Sequence, residues 1–242
     1  MPRIIIYGDI HGCLDEWREL RRIIGVKESD AEIAVGDLFS KGPKPAETIR
    51  FAREHGVITV LGNHEERYLL IGKGTKKAEV SPYEANCAIG SREERSLVNL
   101  RGENSDNTPR YFTDMNENDL AYMLAMPRFL RLTNVVVVHA GLTNEIDLNS
   151  IAEDQKSILT HIRSINFGGG ERFWAEVYNG NQGFAIYGHT PHGIRRYKYA
   201  LGIDAGCVYG GALAAAILTR RGNEFDTDAI ETVLVEARER YA

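Results

Sequence analysis

The chain opens on an apolar, β-branched run, Ile4-Ile5-Ile6-Tyr7, that stops at Gly8-Asp9. Leu14, Trp17, Leu20 and Ile24 then recur at helical spacing, which predicts an amphipathic helix over 13–24. A second apolar run, 32–35, again ends in Gly-Asp. Pro45 suits the first turn of a helix, with Ala46, Ile49 and Ala52 on its buried face and Gly56 to close it. A third apolar run, 57–61, ends at Gly62-Asn63. This β-α-β-α-β order predicts parallel strands joined by crossover helices, hence an α/β fold.

Past residue 72 the pattern changes. Residues 72–118 are polar, show no strand alternation, and mix Lys73, Lys76, Lys77, Arg92, Arg95 and Arg101 with Glu79, Glu84, Glu93 and Glu94. They read as a partly helical inserted lobe within a single domain spanning 1–242. A helix is predicted over 117–125. Strands are predicted over 128–132 and 135–139, joined by Thr133-Asn134, and over 184–187, 200–204 and 212–219. Ile230, Val233, Leu234 and Ala237 fall at helical spacing, which predicts a terminal amphipathic helix over 227–240.

Composition narrows the class. In 242 residues, 43% are hydrophobic and 26% charged, enough apolar surface to offset the entropy of ordering. The formal net charge of −5 argues against a protein that coats nucleic acid. No apolar run approaches the roughly 18–20 residues that span a bilayer. The N-terminus lacks the pattern of a signal peptide. Cys13, Cys87 and Cys207 are odd in number and form no C-x-x-C, so neither a disulfide framework nor a zinc knuckle is expected, and a reducing cytoplasm is the expected location.

The chemistry gathers where strands end. Asp9 follows the first, Asp37 the second and Asn63-His64 the third, at intervals of 28 and 26 positions, about one strand-helix repeat each. Val135–Val138 runs into His139-Ala140-Gly141, and Phe184–Tyr187 into Gly188-His189-Thr190. The first three ends should lie side by side at the carboxyl edge of one sheet, where ligands of open α/β sheets bind, and in all five strands end in carboxylate, carboxamide or imidazole beside glycine. Such ligands suit Mn, Fe or Zn.

Gly8-Asp9-x-His11-Gly12, Gly36-Asp37 with Gly42, Gly62-Asn63-His64-Glu65, His139-Ala140-Gly141 and Gly188-His189-Thr190 together resemble the ordered signature of calcineurin-like metallophosphoesterases. Within them the chain is similar to the phosphoprotein-phosphatase branch, which holds protein Ser/Thr phosphatases and symmetrical diadenosine tetraphosphatases. Ile203-Asp204-Ala205-Gly206-Cys207 to Gly211 extends the likeness. The resemblance implies a β-sandwich of two mixed sheets flanked by helices. It implies two divalent metal ions, with manganese foremost and Fe, Zn, Co, Ni or Mg as alternatives. Asp9 and His11 would bind the first, Asp37 would bridge, and Asn63, His139 and His189 would complete the second. A hydroxide bridging the metals would attack phosphorus directly, and His64 would protonate the leaving oxygen.

Two positions depart from that pattern. Where the family's protein phosphatases carry Asp then Arg before the second glycine, this chain has Ser40 and Lys41. Ser40 can hydrogen-bond His64 but brings no charge. Lys41 meets a phosphate as a point charge, not as a fork. Arg163 is the candidate for a second phosphate-binding arginine, beside Asn63. His192 and His55 read as a loop and a helix-end histidine. Lys41-Gly42-Pro43 looks like the diadenosine tetraphosphatases, and Gly62-Asn63-His64-Glu65 is shared with phosphoprotein phosphatases, so both substrate classes stay open. A nucleic-acid end-processing phosphatase and a non-catalytic metal-binding scaffold are the alternatives.

Overall fold

The computed structural model describes residues 3–72, 114–152 and 155–242. Most of the polar segment expected to form an inserted lobe lies outside them. The first sheet runs β14 (Glu231–Glu236), β11 (Ala212–Leu218), β1 (Ile4–Tyr7), β2 (Ala31–Ala34), β3 (Ile58–Thr59). β1, β2 and β3 are parallel, and β11 is antiparallel to both β1 and β14. The second sheet runs β4 (Phe129–Arg131), β5 (Val135–Val138), β8 (Phe184–Tyr187), β10 (Ala200–Gly202), β9 (Arg195–Arg196). Its three central strands are parallel and its edges antiparallel. A small hairpin of β12 (Arg220–Arg221) and β13 (Glu224–Phe225) lies between β11 and β14 in the chain.

Alternate residues of each strand divide the apolar mass into three layers, because side chains in a strand point to opposite faces. Ile6, Ile33, Val35 and Val60 of the first sheet meet Val137, Ile186, Leu201 and Ile203 of the second. This is the buried middle of a sandwich of two mixed sheets. On the outer face of the first sheet, Ile5, Tyr7 and Ala215 pack against Leu14, Trp17 and Leu20 of α1 (Leu14–Ile24), Ile49 and Ala52 of α2 (Pro45–Glu54), and Met123 of α4 (Glu117–Leu124). On the outer face of the second, Val136, Val138 and Tyr187 pack against Leu159 of α5 (Ile158–His161) and Trp174 of α6 (Trp174–Val177). α4 begins on a capping box: Asn116 accepts from the Asp119 N–H, and the Asp119 carboxylate accepts from the Asn116 N–H.

One predicted element is wrong. The expected terminal helix over 227–240 is strand β14, preceded by a short 3-10 turn at Thr227–Ala229. Thr232, Val233 and Val235 are β-branched, and β11 offers a six-residue antiparallel partner. In this strand Val233 and Val235 turn to the core while Leu234 is 44% exposed. The period is two, and the helical spacing is a coincidence. The hairpin of β6 (Ser164–Phe167) and β7 (Gly170–Phe173) is an addition to the expected elements. Among the described residues no helix is long and apolar enough to cross a membrane.

Candidate active site

Both sheets send the ends of their parallel strands to one edge of the sandwich, and the loops there are locked onto each other. Gly8, after β1, lies against the Ile203 carbonyl, and Gly188, after β8, lies against the Asp9 carboxylate. A Cβ at either position would collide with those oxygens. Among the described residues, His11, Asp37, Ser40, Lys41 and His189 are the non-glycine residues with positive φ, between 47° and 79°. All five sit in these loops. Backbone strain of this kind persists only where the surroundings enforce it. Glu65, in the first turn of α3 (Asn63–Gly72), enforces part of it. Its buried carboxylate accepts the N–H groups of Asp37, Leu38, Phe39 and Gly62 at 2.8–3.3 Å. Glu65 therefore holds the second loop to the third, and its presence after His64 reports loop architecture, not substrate class.

Asp37 occupies the centre. Its Oδ2 lies 3.5 Å from His11 Nε2, 3.5 Å from His139 Nε2 and 3.9 Å from His64 Nε2. Its Oδ1 accepts the His64 N–H at 3.0 Å. Asn63 Oδ1 lies 2.9 Å from His139 Nε2 and 3.1 Å from His189 Nδ1. Two sets of donors thus converge, each within 4.8 Å: His11, Asp37 and His64, and Asp37, His139 and His189. Asp9 lies outside both sets; its two oxygens share the His189 main-chain N–H, at 3.0 and 3.1 Å, and each keeps a lone pair for a cation.

The donor chemistry fits a metal. His139 Nδ1 faces the Val35 carbonyl at 3.0 Å, and His11 Nδ1 faces the Phe39 carbonyl at 3.3 Å. A carbonyl only accepts, so each Nδ1 carries the proton and each Nε2 presents a lone pair. Burial keeps His139 neutral, with its pKa down to about 3, and holds His11, His64 and His189 well below the ordinary histidine value. Both Nε2 lone pairs therefore face a carboxylate oxygen, acceptor against acceptor, a contact that a cation satisfies. Burial also pushes Asp37 up to about 7 and Asp204 to about 7, and raises Asp9 well above the carboxylate range with help from the Asp204 and Asp37 charges. A divalent ion among them offsets both penalties.

Lys41, Arg163 and Asp204 line the groove above. Ser40 Oγ lies 2.8 Å from His64 Nδ1. Lys41 donates to Tyr209 Oη at 2.6 Å. Arg163, one residue before the hairpin, places Nε 3.3 Å from His189 Nε2. His55 caps α2, its Nδ1 2.9 Å from the Phe51 carbonyl, away from these groups. Asp204 is a site residue beyond the expected set, although it follows a strand and precedes Gly206, the same signature that marks the other strand ends. It is buried in the groove wall and accepts the Gly206 N–H at 3.0 Å.

The Calcineurin-like phosphoesterase family model matches residues 2–223. The chain belongs to this family. As a calcineurin-like phosphoesterase it is a metal-dependent hydrolase; the family implies divalent metal ions, and the donor sets just described are groups that could hold one. The chain is 28% identical to the asymmetrical bis(5'-nucleosyl)-tetraphosphatase PrpE of Oceanobacillus iheyensis, over 88% of this chain and 87% of that one. It is 30% identical to the symmetrical bis(5'-nucleosyl)-tetraphosphatase of Aliivibrio fischeri (strain MJ11), over 80% of this chain but 63% of that one. A crystal structure described as a putative diadenosine tetraphosphatase superposes with a TM-score of 0.68 at 26% identity, covering 98% of this chain and 96% of that one.

Proposed function

We propose that the chain hydrolyses a phosphoanhydride bond of a dinucleoside polyphosphate such as diadenosine tetraphosphate, using two divalent cations, manganese foremost. The observation that carries the reading is Asp37 Oδ2, set 3.5 Å from the lone-pair nitrogens of both His11 and His139, where one carboxylate can serve two ions. Asp9, His11 and Asp37 would hold one cation, and Asp37, Asn63, His139 and His189 the other. When bound, such ions lower the pKa of water and neutralise charge on phosphoryl oxygens.

The chain's own side chains supply the rest. Asn63, Lys41 and Arg163 bind the phosphoryl oxygens, Arg163 as a fork and Lys41 as a point charge. His64 delivers a proton from Nε2 to the departing oxygen while Ser40 fixes its Nδ1. Ser40 also bears on the substrate. It lends His64 no charge, so the imidazole stays a poorly protonated acid. A nucleotide phosphate leaves as a stable anion, its second pKa being about 6, and needs little protonation. A serine alkoxide needs a full proton. The His64–Ser40 pair thus suits an anhydride better than a phosphoprotein ester. The asymmetrical relative, matched over most of its length, supports cleavage of diadenosine tetraphosphate with water to ATP and AMP.

A side-by-side product analysis tests this. Diadenosine tetraphosphate, a phosphopeptide panel and a terminally phosphorylated oligonucleotide are offered at equal concentration with Mn²⁺. The expected result is ATP plus AMP, with diadenosine tetraphosphate turned over fastest. Faster release of phosphate from the peptides or the oligonucleotide would overturn the substrate assignment.

A further inference from the structure

Above the metal-ligating floor the site opens into a groove of about 960 Å³. That is room for a whole drug-sized ligand, far more than one phosphoryl group fills. The β6–β7 hairpin lends Glu171, Arg172 and Phe173 to its wall, and the loop after β8 lends His192. None of these four belongs to the converging donor sets. The Arg172 side chain is 58% exposed, and its Nε meets the exposed Glu176 carboxylate at 3.2 Å. Such a pair is worth little, so the guanidinium can readily exchange it for a phosphate. His192 is exposed and within electrostatic reach of Arg163 and Arg195. The one hairpin carboxylate in the groove, Glu171, is tied back by the Ser164 hydroxyl. The open wall therefore presents hydrogen-bond donors, Arg172 and His192, leading away from Arg163, which itself sits against His189 at the floor.

We propose that Arg172 and His192 form a subsite for the phosphoryl groups adjoining the one attacked, so that the groove selects a polyphosphate chain over a lone phosphate. This rests on the reading that the substrate is a dinucleoside polyphosphate. An arginine fork and an imidazole N–H are suited to successive phosphoryl oxygens, and the volume leaves space for the nucleoside beyond.

The test uses the Mn²⁺-loaded protein and the variants Arg172→Ala, His192→Ala and their combination. Both side chains are exposed, so the fold should tolerate their loss. The readout is the ratio of kcat/KM for diadenosine tetraphosphate to kcat/KM for p-nitrophenyl phosphate, which has no second phosphate. The ratio should fall about tenfold in each single variant, through KM. An unchanged ratio overturns the subsite. If the wild type cleaves the aryl phosphate but not diadenosine tetraphosphate, the substrate reading fails by itself. The subsite is then judged by inhibition of aryl phosphate hydrolysis with Mn²⁺ in excess. Inorganic tripolyphosphate should inhibit the wild type at least about tenfold more strongly than orthophosphate, and the double variant should lose that advantage. Equal inhibition by the two anions in the wild type overturns it.

Discussion

The hydroxyl of Ser40 lies 2.8 Å from Nδ1 of His64, on a residue whose φ is +79°. It orients the imidazole without lending it charge. Burial, and then the neighbouring His11 and Lys41 groups, hold the His64 pKa well below the ordinary value. A carboxylate in place of the hydroxyl would oppose that depression, and an opposite charge at this range raises a histidine pKa by about 1–3 units. Aspartate also tolerates left-handed backbone. Ser40→Asp should therefore move the alkaline limb of the kcat/KM profile upward by about one unit or more. The gain should be larger for a phosphoserine peptide than for diadenosine tetraphosphate. A limb that stays in place would show that His64 protonation does not limit the reaction.

His64→Asn separates proton donation from metal binding. His64 Nε2 lies 3.9 Å from Asp37 Oδ2, so its imidazole could serve either purpose. If it is the acid, metal content per chain stays at the wild-type level. Turnover of substrates with poor leaving groups then falls by about 10²–10⁴, and p-nitrophenyl phosphate hydrolysis falls far less. Loss of metal in this variant, measured by elemental analysis, would make His64 a ligand instead.

Asp37→Asn removes the charge that faces both His11 and His139. Metal content should drop by half or more, and activity by about 10³ or more, the scale of losing a positioned catalytic group. The carboxamide oxygen can still accept the His64 N–H, so the loop should persist. Burying Asp37 is costly enough to push its pKa up to about 7. The chelator-treated variant should thus melt no lower than the chelator-treated wild type. A lower melting temperature would mean that Asp37 stabilises the fold even without a cation.

The parts of this site that are legible in the sequence are those fixed by local pattern. An apolar run cut off by Gly-Asp, Gly-Asn or His-Ala-Gly announces a strand end, and a sheet edge collects strand ends, so the amino-acid pattern by itself brings Asp37, Asn63, His139 and His189 together. Asp204 carries the same signature at the end of β10 and belongs with them on the same grounds. Other features are not local. Val233 and Leu234 satisfy a helical period, and only pairing with β11 decides for a strand. Ser164 through Phe167 alternates polar and apolar and runs into Gly168-Gly169, a local hairpin signal, but nothing local says that this hairpin walls the site. That both Asp9 oxygens share the His189 N–H depends on how two sheets meet.

The buried carboxyls and imidazoles set a pH dependence whose sign can be worked out. Asp37 and Asp204 have folded pKa values raised to about 7, so between about pH 4 and 7 the native state holds protons that the unfolded state has released. Stability from this source falls as pH rises. His139, down at about 3, and His11, His64 and His189, also held low, act oppositely: the unfolded state holds their protons below about 6.5, so stability rises with pH there. The two trends offset each other below about pH 6.5, and only the carboxyl trend continues above it. Chelator-treated protein should therefore lose melting temperature from about pH 6.5 to 8. Mn²⁺ expels the carboxyl protons on binding, so its apparent affinity should climb by up to about tenfold per pH unit below 7, for each proton released, and flatten toward pH 8. Calorimetry in two buffers of different ionisation enthalpy counts those protons directly. Metal binding at pH 6 with no proton release would mean that the carboxyls are already ionised and that the imidazoles, not Asp37 and Asp204, carry the burial cost.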